Sequence, residues 1–388
     1  MDFALTPLQE EIRTNVRAIM SDFGDNYWLD RDRTGDFPVE FTQAMADGGW
    51  LGITMPEEYG GAGLGVTDAA ILMHTVAKSP GAMSAASAMH INIFGPQPIV
   101  VFGNDEQRER FLPALIKGET RVCFGVTEPT AGLDTSSITT RATRDGDDYI
   151  ISGQKMWTST AQEADKILLL ARTTPRDECE RPFDGISLFF ADLDRDLVQI
   201  NKIEKMGRHA VDSNEVFFDD MRVSGADRIG EEGKGFQYLL HSLNPERILV
   251  AVEAIGIGQE ALDRAANYAR ERVVFGRPIG QNQSIQHPLA ESWAELNAAW
   301  LSAMHAAYLY DSGQPCGPEA NAAKYLGAEA GKRSCERAIL THGGLGYAKE
   351  LHVERLFREV LINWIAPVTP QLMLSHIAEK ALGLPKSY

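Results

Sequence analysis

Residues 123–133 read Cys123-Phe124-Gly125-Val126-Thr127-Glu128-Pro129-Thr130-Ala131-Gly132-Leu133, and residues 149–159 read Tyr149-Ile150-Ile151-Ser152-Gly153-Gln154-Lys155-Met156-Trp157-Thr158-Ser159. The first stretch is an apolar run that leaves a strand near Val126 and passes into small residues. It exposes backbone N–H groups and the Thr127 hydroxyl at a loop, as an anionic or planar polar ligand requires. The second starts a strand at Tyr149 and ends on Trp157, with hydroxyls at Thr158, Ser159 and Thr160. An aromatic plane beside hydroxyl donors suits a flat heteroaromatic group. A charged turn at 144–148 lies between the two. An ordinary loop and hairpin accounts for the same residues, and at this level both readings stand.

Outward from this stretch, β-rich segments recur without intervening helices at Arg121–Val126, Tyr149–Trp157, Lys166–Ala171, Ile186–Ala191, Val198–Ile203 and Glu215–Val223. Such spacing predicts an antiparallel barrel or sandwich. Before it the chain reads as helical. Thr6-Pro7-Leu8-Gln9 is a helix start with a capping box, and Leu8, Ile12, Val16, Ile19 and Phe23 follow as one apolar stripe at helical spacing. Further helices are expected from Pro38 to Gly48-Gly49, over 68–76 and over 105–116. Glu57 to Gly63 is glycine-rich, but no Lys-Ser/Thr pair follows, so it reads as a connection rather than a phosphate cradle. After residue 229 helical periodicity returns over 236–243, 248–272, 283–309, 319–340, 351–362 and 371–382, which fits a bundle. The expected organisation is a mainly α chain with a central β domain. Its parts are an N-terminal helical domain (1–120), an antiparallel β-barrel domain (121–228) and a C-terminal four-helix-bundle domain (229–388).

The 388 residues exceed one small core and imply two or three domains. A net charge of −17 argues against nucleic acid and anionic membranes, although a local Arg or Lys cluster is enough to hold a phosphate ligand. The four cysteines are scattered without a C-x-x-C pair, so reduced structural thiols and a cytoplasmic location are expected. The histidines show no metal-ligand spacing. Met1-Asp2-Phe3 is acidic and shows no leader pattern, and no apolar run is long enough to span a bilayer.

V-T-E-P-x-A-G followed by G-Q-K-x-W resembles the flavin-binding signature of the acyl-CoA dehydrogenase family, and further matches run to the C-terminus. The resemblance implies FAD at the junction of the three parts, shared between subunits of a homodimer or homotetramer. It also implies an acyl-CoA substrate and reoxidation by an electron-transferring flavoprotein. On it, Phe124, Val126 and Thr127 meet the flavin, Trp157 packs on the ring, and Ser159 keeps a hydroxyl where relatives have Thr near nitrogen-5. Arg272, Phe275 and Gln283 lie in a segment similar to the family's R-x-x-F-G…Q, where the Arg meets the pyrophosphate of a neighbouring subunit's FAD; alone, that pattern also fits a solvated helix end. Gly343 and Gly344 match a glycine pair that lets backbone approach the cofactor, and Thr369 and Gln371 match a T-x-Q that touches FAD. Leu133 stands where the family usually has a Ser touching cofactor or CoA.

The family's reaction needs a carboxylate to remove the proton next to the thioester while a hydride leaves the neighbouring carbon. Most members place that Glu in an I-Y-E-G-T motif. Here the matching stretch is Ile365-Ala366-Pro367-Val368-Thr369, so the base is missing there. The isovaleryl-CoA and long-chain acyl-CoA dehydrogenases carry it in L-x-x-E-R, which Leu243-Asn244-Pro245-Glu246-Arg247 matches. Glu246 is therefore the expected base. Read without the family, Asn244 caps a helix, Pro245 sits in its first turn and Glu246 is a solvated first-turn carboxylate. Arg247 faces either a carboxylate or the CoA. Pro367 has no N–H to hold the thioester oxygen, which leaves that role to Val368 or to another device. Two rival functions follow from these departures: an oxygen-reactive oxidase or monooxygenase on the same fold, and a non-catalytic FAD- or acyl-CoA-binding subunit.

Overall fold

The computed structural model describes residues 4–387; Met1, Asp2 and Phe3, read above as the acidic start, lie outside the described residues. The first helix, α1 (Pro7–Ser21), opens with the expected capping box: the Thr6 hydroxyl accepts from the Gln9 N–H, and the Gln9 carboxamide returns the bond. Its buried face is Ile12, Val16 and Met20, whereas Leu8 is exposed. The stripe is thus one turn shorter than read. Helices α2 (Asp25–Thr34), α3 (Val39–Asp47), α4 (Val66–Ala77), α5 (Ala82–Phe94), α6 (Gln97–Phe102) and α7 (Asp105–Ile116) follow. Neither α2 nor α5 shows a clear amphipathic stripe. In α2 charges crowd around two buried residues, Trp28 and Asp32, and α5 is buried on nearly every side.

The sheet comprises β1 (Val122–Gly125), β2 (Arg141–Asp145), β3 (Asp148–Ser159), β4 (Lys166–Arg172), β5 (Ile186–Asp192), β6 (Val198–Lys202), β7 (Ser213–Val223) and β8 (Arg228–Ile229). Its order is β6-β7-β3-β2-β4-β5-β8, with β1 joined in parallel to β4. The antiparallel barrel is thereby corrected to an open, mixed sheet. The β2–β3 hairpin is a crossover between β1 and β4, so β1 meets β4 in parallel, and the outermost strands β6 and β8 do not pair. Strand β4 is apolar from Ile167 to Ala171 because both its faces are covered. Ile167, Leu169 and Ala171 join one cluster and Leu168 and Leu170 the other, under α7.

The remaining elements are α8 (Gly235–Glu271), a small hairpin of β9 (Val273–Val274) and β10 (Arg277–Pro278), α9 (Gln283–Asp311), α10 (Gly317–His342), α11 (Val353–Ile365) and α12 (Pro370–Lys380). The helix is unbroken from Gly235 to Glu271, with Pro245 inside it. Proline removes one intrahelical hydrogen bond; burial of Ser242, Pro245, Glu246 and Leu249 on one face holds the helix continuous. Helix α7 likewise runs through Pro113, over the expected 105–116. The largest core draws on both ends of the chain: Ile12 and Val16 of α1, Phe41, and Ile71 and Leu72 of α4 share it with Ile255, Leu296, Ala323 and Leu356.

Candidate active site

Glu246 is not a first-turn residue. Asn244 lies within α8 and accepts a hydrogen bond from Arg247 Nη1 at 3.0 Å instead of capping a helix. The Glu246 residue is 8% exposed. Burial pushes its carboxyl up to about 7, against the opposing pull of His90, Arg247 and Lys324. A carboxyl titrating there is half ionised near neutrality, the condition under which a general base works best.

Three neighbours of Glu246 escaped the sequence reading. His90 Nδ1 lies 2.5 Å from Glu253 Oε1, and Glu253, buried, stands two turns beyond Glu246 on α8. Lys324 of α10 is buried and donates from Nζ to the carbonyls of Trp364 (3.3 Å) and Val368 (3.0 Å). It ties the stretch holding Pro367 to the helix beneath. The available signal was periodicity: Ser84, Ser87 and His90 recur every three residues in a mostly apolar α5.

The two halves of the sheet motif are held together by its charged letters. Lys155 Nζ donates to Glu128 Oε1 at 2.8 Å and to the Val126 carbonyl at 3.1 Å, with both side chains buried. Glu128 also accepts from the Thr139 N–H and hydroxyl and from the Thr140 N–H. Burial alone would raise this carboxyl; Lys155 and the threonine donors outweigh it and hold it down to about 2. The Met156 N–H donates to the Thr127 carbonyl at 2.8 Å, closing the contact. Between Lys155 and Thr158 the β3–β7 register shifts, and Trp157 takes a φ of 61°. This bulge re-aims the indole, which is 54% exposed. Beside it the buried hydroxyls of Thr158 and Thr160 have no hydrogen-bond partner. The site then connects to Glu246 through rings: Phe124 lies edge-on to Phe94 at 6.2 Å, and Phe94 packs on His90 at 4.6 Å.

Other residues singled out in the sequence stand apart. Leu133, Arg272, Phe275, Gln283, Gly343, Gly344, Pro367 and Gln371 are exposed, and Phe275 also has a φ of 51°. No hydrogen bond or ring contact among the described residues joins Arg272, Phe275 or Gln283 to the Trp157 strand. Thr369 caps α12 by accepting from the Leu372 N–H, and Val368 is half-buried. A side chain added at Gly132, Gly343 or Gly344 would meet nothing within 4 Å. An uncovered indole with orphaned hydroxyls beside it, and the open backbone of Gly132 in the loop after β1, fit a large planar cofactor. Among the described residues no group of three His, Cys, Asp or Glu side chains is placed to hold a metal, and no helix is long and apolar enough to cross a membrane.

The chain matches the models of the acyl-CoA dehydrogenase N-terminal domain over residues 6–119, the middle domain over 123–221 and the C-terminal domain over 233–382. It belongs to the acyl-CoA dehydrogenase family, enzymes that oxidise or reduce a CH–CH bond with the help of a flavin. Among its relatives are acyl-CoA dehydrogenase FadE12 of Mycobacterium tuberculosis, 34% identical over 386 residues covering 98% of this chain and 97% of that one, and the 3-(aryl)acrylate reductase of Clostridium sporogenes, 36% identical over 352 residues covering 90% and 92%. The solved structure of butyryl-CoA dehydrogenase from Megasphaera elsdenii superposes with a TM-score of 0.93 at 30% identity, covering 98% of this chain and 100% of that one.

Proposed function

We propose that this enzyme removes two hydrogens from the α and β carbons of an acyl-CoA thioester, giving the trans-2-enoyl-CoA, with Glu246 as the base and FAD as the flavin. The observation that carries the reading is Glu246 itself: a carboxyl buried on α8, titrating near neutrality beside His90. Its ionised form takes the proton from the carbon next to the thioester carbonyl. The buried setting keeps water from competing for that proton.

The bound FAD supplies the hydride acceptor. Val126, Thr127, Trp157 and Ser159 are assigned to its ring, with Phe124 behind them, and Arg272, Phe275, Gln283, Gly343, Gly344, Thr369 and Gln371 to the rest of it. The exposure of Phe275 and Arg272 on the β9–β10 hairpin supports their assignment to the cofactor of a second copy, in a homodimer or homotetramer. Asn244 and Arg247 sit one turn around Glu246 and are assigned to the CoA portion, as are Leu133 and the Pro367-Val368 backbone. Arg247 already spends one N–H on Asn244, while its Nε is buried without a partner. An electron-transferring flavoprotein is the proposed electron acceptor.

Because Glu246 is close to half protonated at neutral pH, the same carboxyl can return a proton to an enoyl thioester. The reverse, reductive direction is therefore open wherever the electron donor favours it, in keeping with the name of the clostridial relative. Anaerobic mixing of the purified yellow protein with a panel of acyl-CoAs tests the reading: the flavin should bleach with the right thioester. A Glu246→Gln variant that bleaches as fast as the parent removes Glu246 from the role.

A further inference from the structure

Arg208 forms no ion pair among the described residues. Its φ of 60° is a left-handed conformation that costs a non-glycine residue strain. In that conformation Nη1 donates to Ser87 Oγ (3.2 Å) and Nη2 to Ser159 Oγ (3.3 Å) and Ser213 Oγ (3.1 Å). All three acceptors are neutral hydroxyls. The carboxylates whose fields reach it, Glu359, Asp212 and Glu253, are engaged elsewhere. Glu359 binds the Ser84 N–H and hydroxyl and Arg355. Asp212 accepts from the Gln162 N–H and from Asn214, and Glu253 holds His90. The residue is half-buried, so it keeps surface that a ligand can reach.

His90 adjoins it, one turn along α5 from Ser87. With Nδ1 committed to Glu253, its Nε2 has no protein partner among the described residues, and its ring feels the charges of both Glu246 and Arg208. A desolvated guanidinium without a carboxylate is costly to maintain. It is retained where a ligand supplies the counter-charge, and Arg pairs with carboxylates in a two-pronged geometry.

We propose that Arg208, with His90 beside it, receives a carboxylate at the far end of a short acyl chain, so that the substrates are mono-CoA thioesters of dicarboxylic acids. The inference rests on the dehydrogenase reading above. Arg208 touches Ser159, the hydroxyl assigned to the flavin, which limits the acyl group to a few carbons between the thioester and the carboxylate.

The test compares glutaryl-CoA with valeryl-CoA, which share a five-carbon chain and differ in a terminal carboxylate against a methyl, by anaerobic flavin bleaching of the holoenzyme. A charge-assisted pair predicts about a ten- to hundredfold preference for glutaryl-CoA in kcat/KM. Arg208→Met should abolish or invert it, and Arg208→Lys should keep part of it. The ratio of two substrates on one protein is unaffected by lost flavin or partial unfolding, so the variants stay informative. A wild-type enzyme that bleaches equally well or better with valeryl-CoA overturns this inference and leaves the dehydrogenase reading intact. So does an unchanged ratio in Arg208→Met with only the flavin midpoint potential moved, which would assign Arg208 to the cofactor. Bleaching by neither these nor any other acyl-CoA overturns both.

Discussion

Replacing Glu246 with Gln should make the protein more stable in alkali while destroying its activity. A carboxyl that titrates near 7 rather than near 4.5 in the unfolded chain disfavours its own ionisation. At about 1.4 kcal/mol per pH unit, this amounts to about 3 kcal/mol once the group is fully ionised. The sign follows from the raised folded-state value: the advantage of the protonated form is complete below the unfolded value and is lost as pH climbs through about 7. Gln has a similar shape and cannot ionise, so the variant does not suffer this loss. Urea unfolding of parent and variant at about pH 5 and at about pH 8.5 measures it. The stability gap should shift by about 2.5 kcal/mol in favour of the Glu246→Gln variant between the two, the unfolded carboxyl being already mostly ionised at about pH 5. In the same protein, the parent's rate of flavin bleaching should rise with pH through about 7. A gap that stays constant with pH refutes the buried, poised carboxyl, and with it the argument that Glu246 is set up as a base.

Other consequences can be measured directly. Lys155→Met leaves Glu128 charged and buried, and should cost about 3–5 kcal/mol in urea unfolding and loosen the loop carrying Val126 and Thr127, seen as weaker FAD retention on dilution. Asp32, 4% exposed, accepts from Arg358 Nη2 at 2.8 Å and lies 3.1 Å from His209 Nδ1; these partners outweigh burial and hold its carboxyl well below the usual range. Asp32→Asn should therefore lower stability by about 2–3 kcal/mol at neutral pH, a deficit that shrinks as acid takes the parent below the unfolded value of 3.8. Gly331→Ala would set a methyl 2.4 Å from the Ala254 carbonyl oxygen, and thermal melting should report a loss of about 1–3 kcal/mol as α8 and α10 are forced apart.

The sequence was most legible where a single local rule governs. The Thr6 capping box, strands β4 and β5 and helix α7 stand close to where their residues place them, because capping chemistry and apolar runs act over a few residues. The sheet's closure was not legible: whether β6 meets β8 depends on contacts far apart in the chain, and the β2–β3 crossover makes β1 parallel to β4. Around Pro245 local propensity misled, since burial of one face holds α8 together across a residue that usually ends a helix. At the site, the motif letters pointed to the bulge that carries Trp157, but the roles of Glu128 and Lys155 as mutual partners appear only once both strands are in place. His90 on α5, Lys324 on α10 and Arg208 in the β6–β7 connection lie far from Glu246 in the chain, and only the fold brings them within reach of Glu246 and Ser159.

The sharing of the largest core between the two ends of the chain has a consequence for synthesis. Ile12, Phe41 and Leu72 are packed by residues of α8 to α11, so when the first hundred residues leave the ribosome their partners have not been made. At roughly 5–20 residues per second, the wait is on the order of ten seconds or more, during which an apolar face has nothing to close on. The sheet, with one cluster of its own and a second shared mainly with α6 and α7, can condense meanwhile. The newborn N-terminal helices are then a natural client for a holding chaperone, and the protein completes its fold only after its last third has emerged.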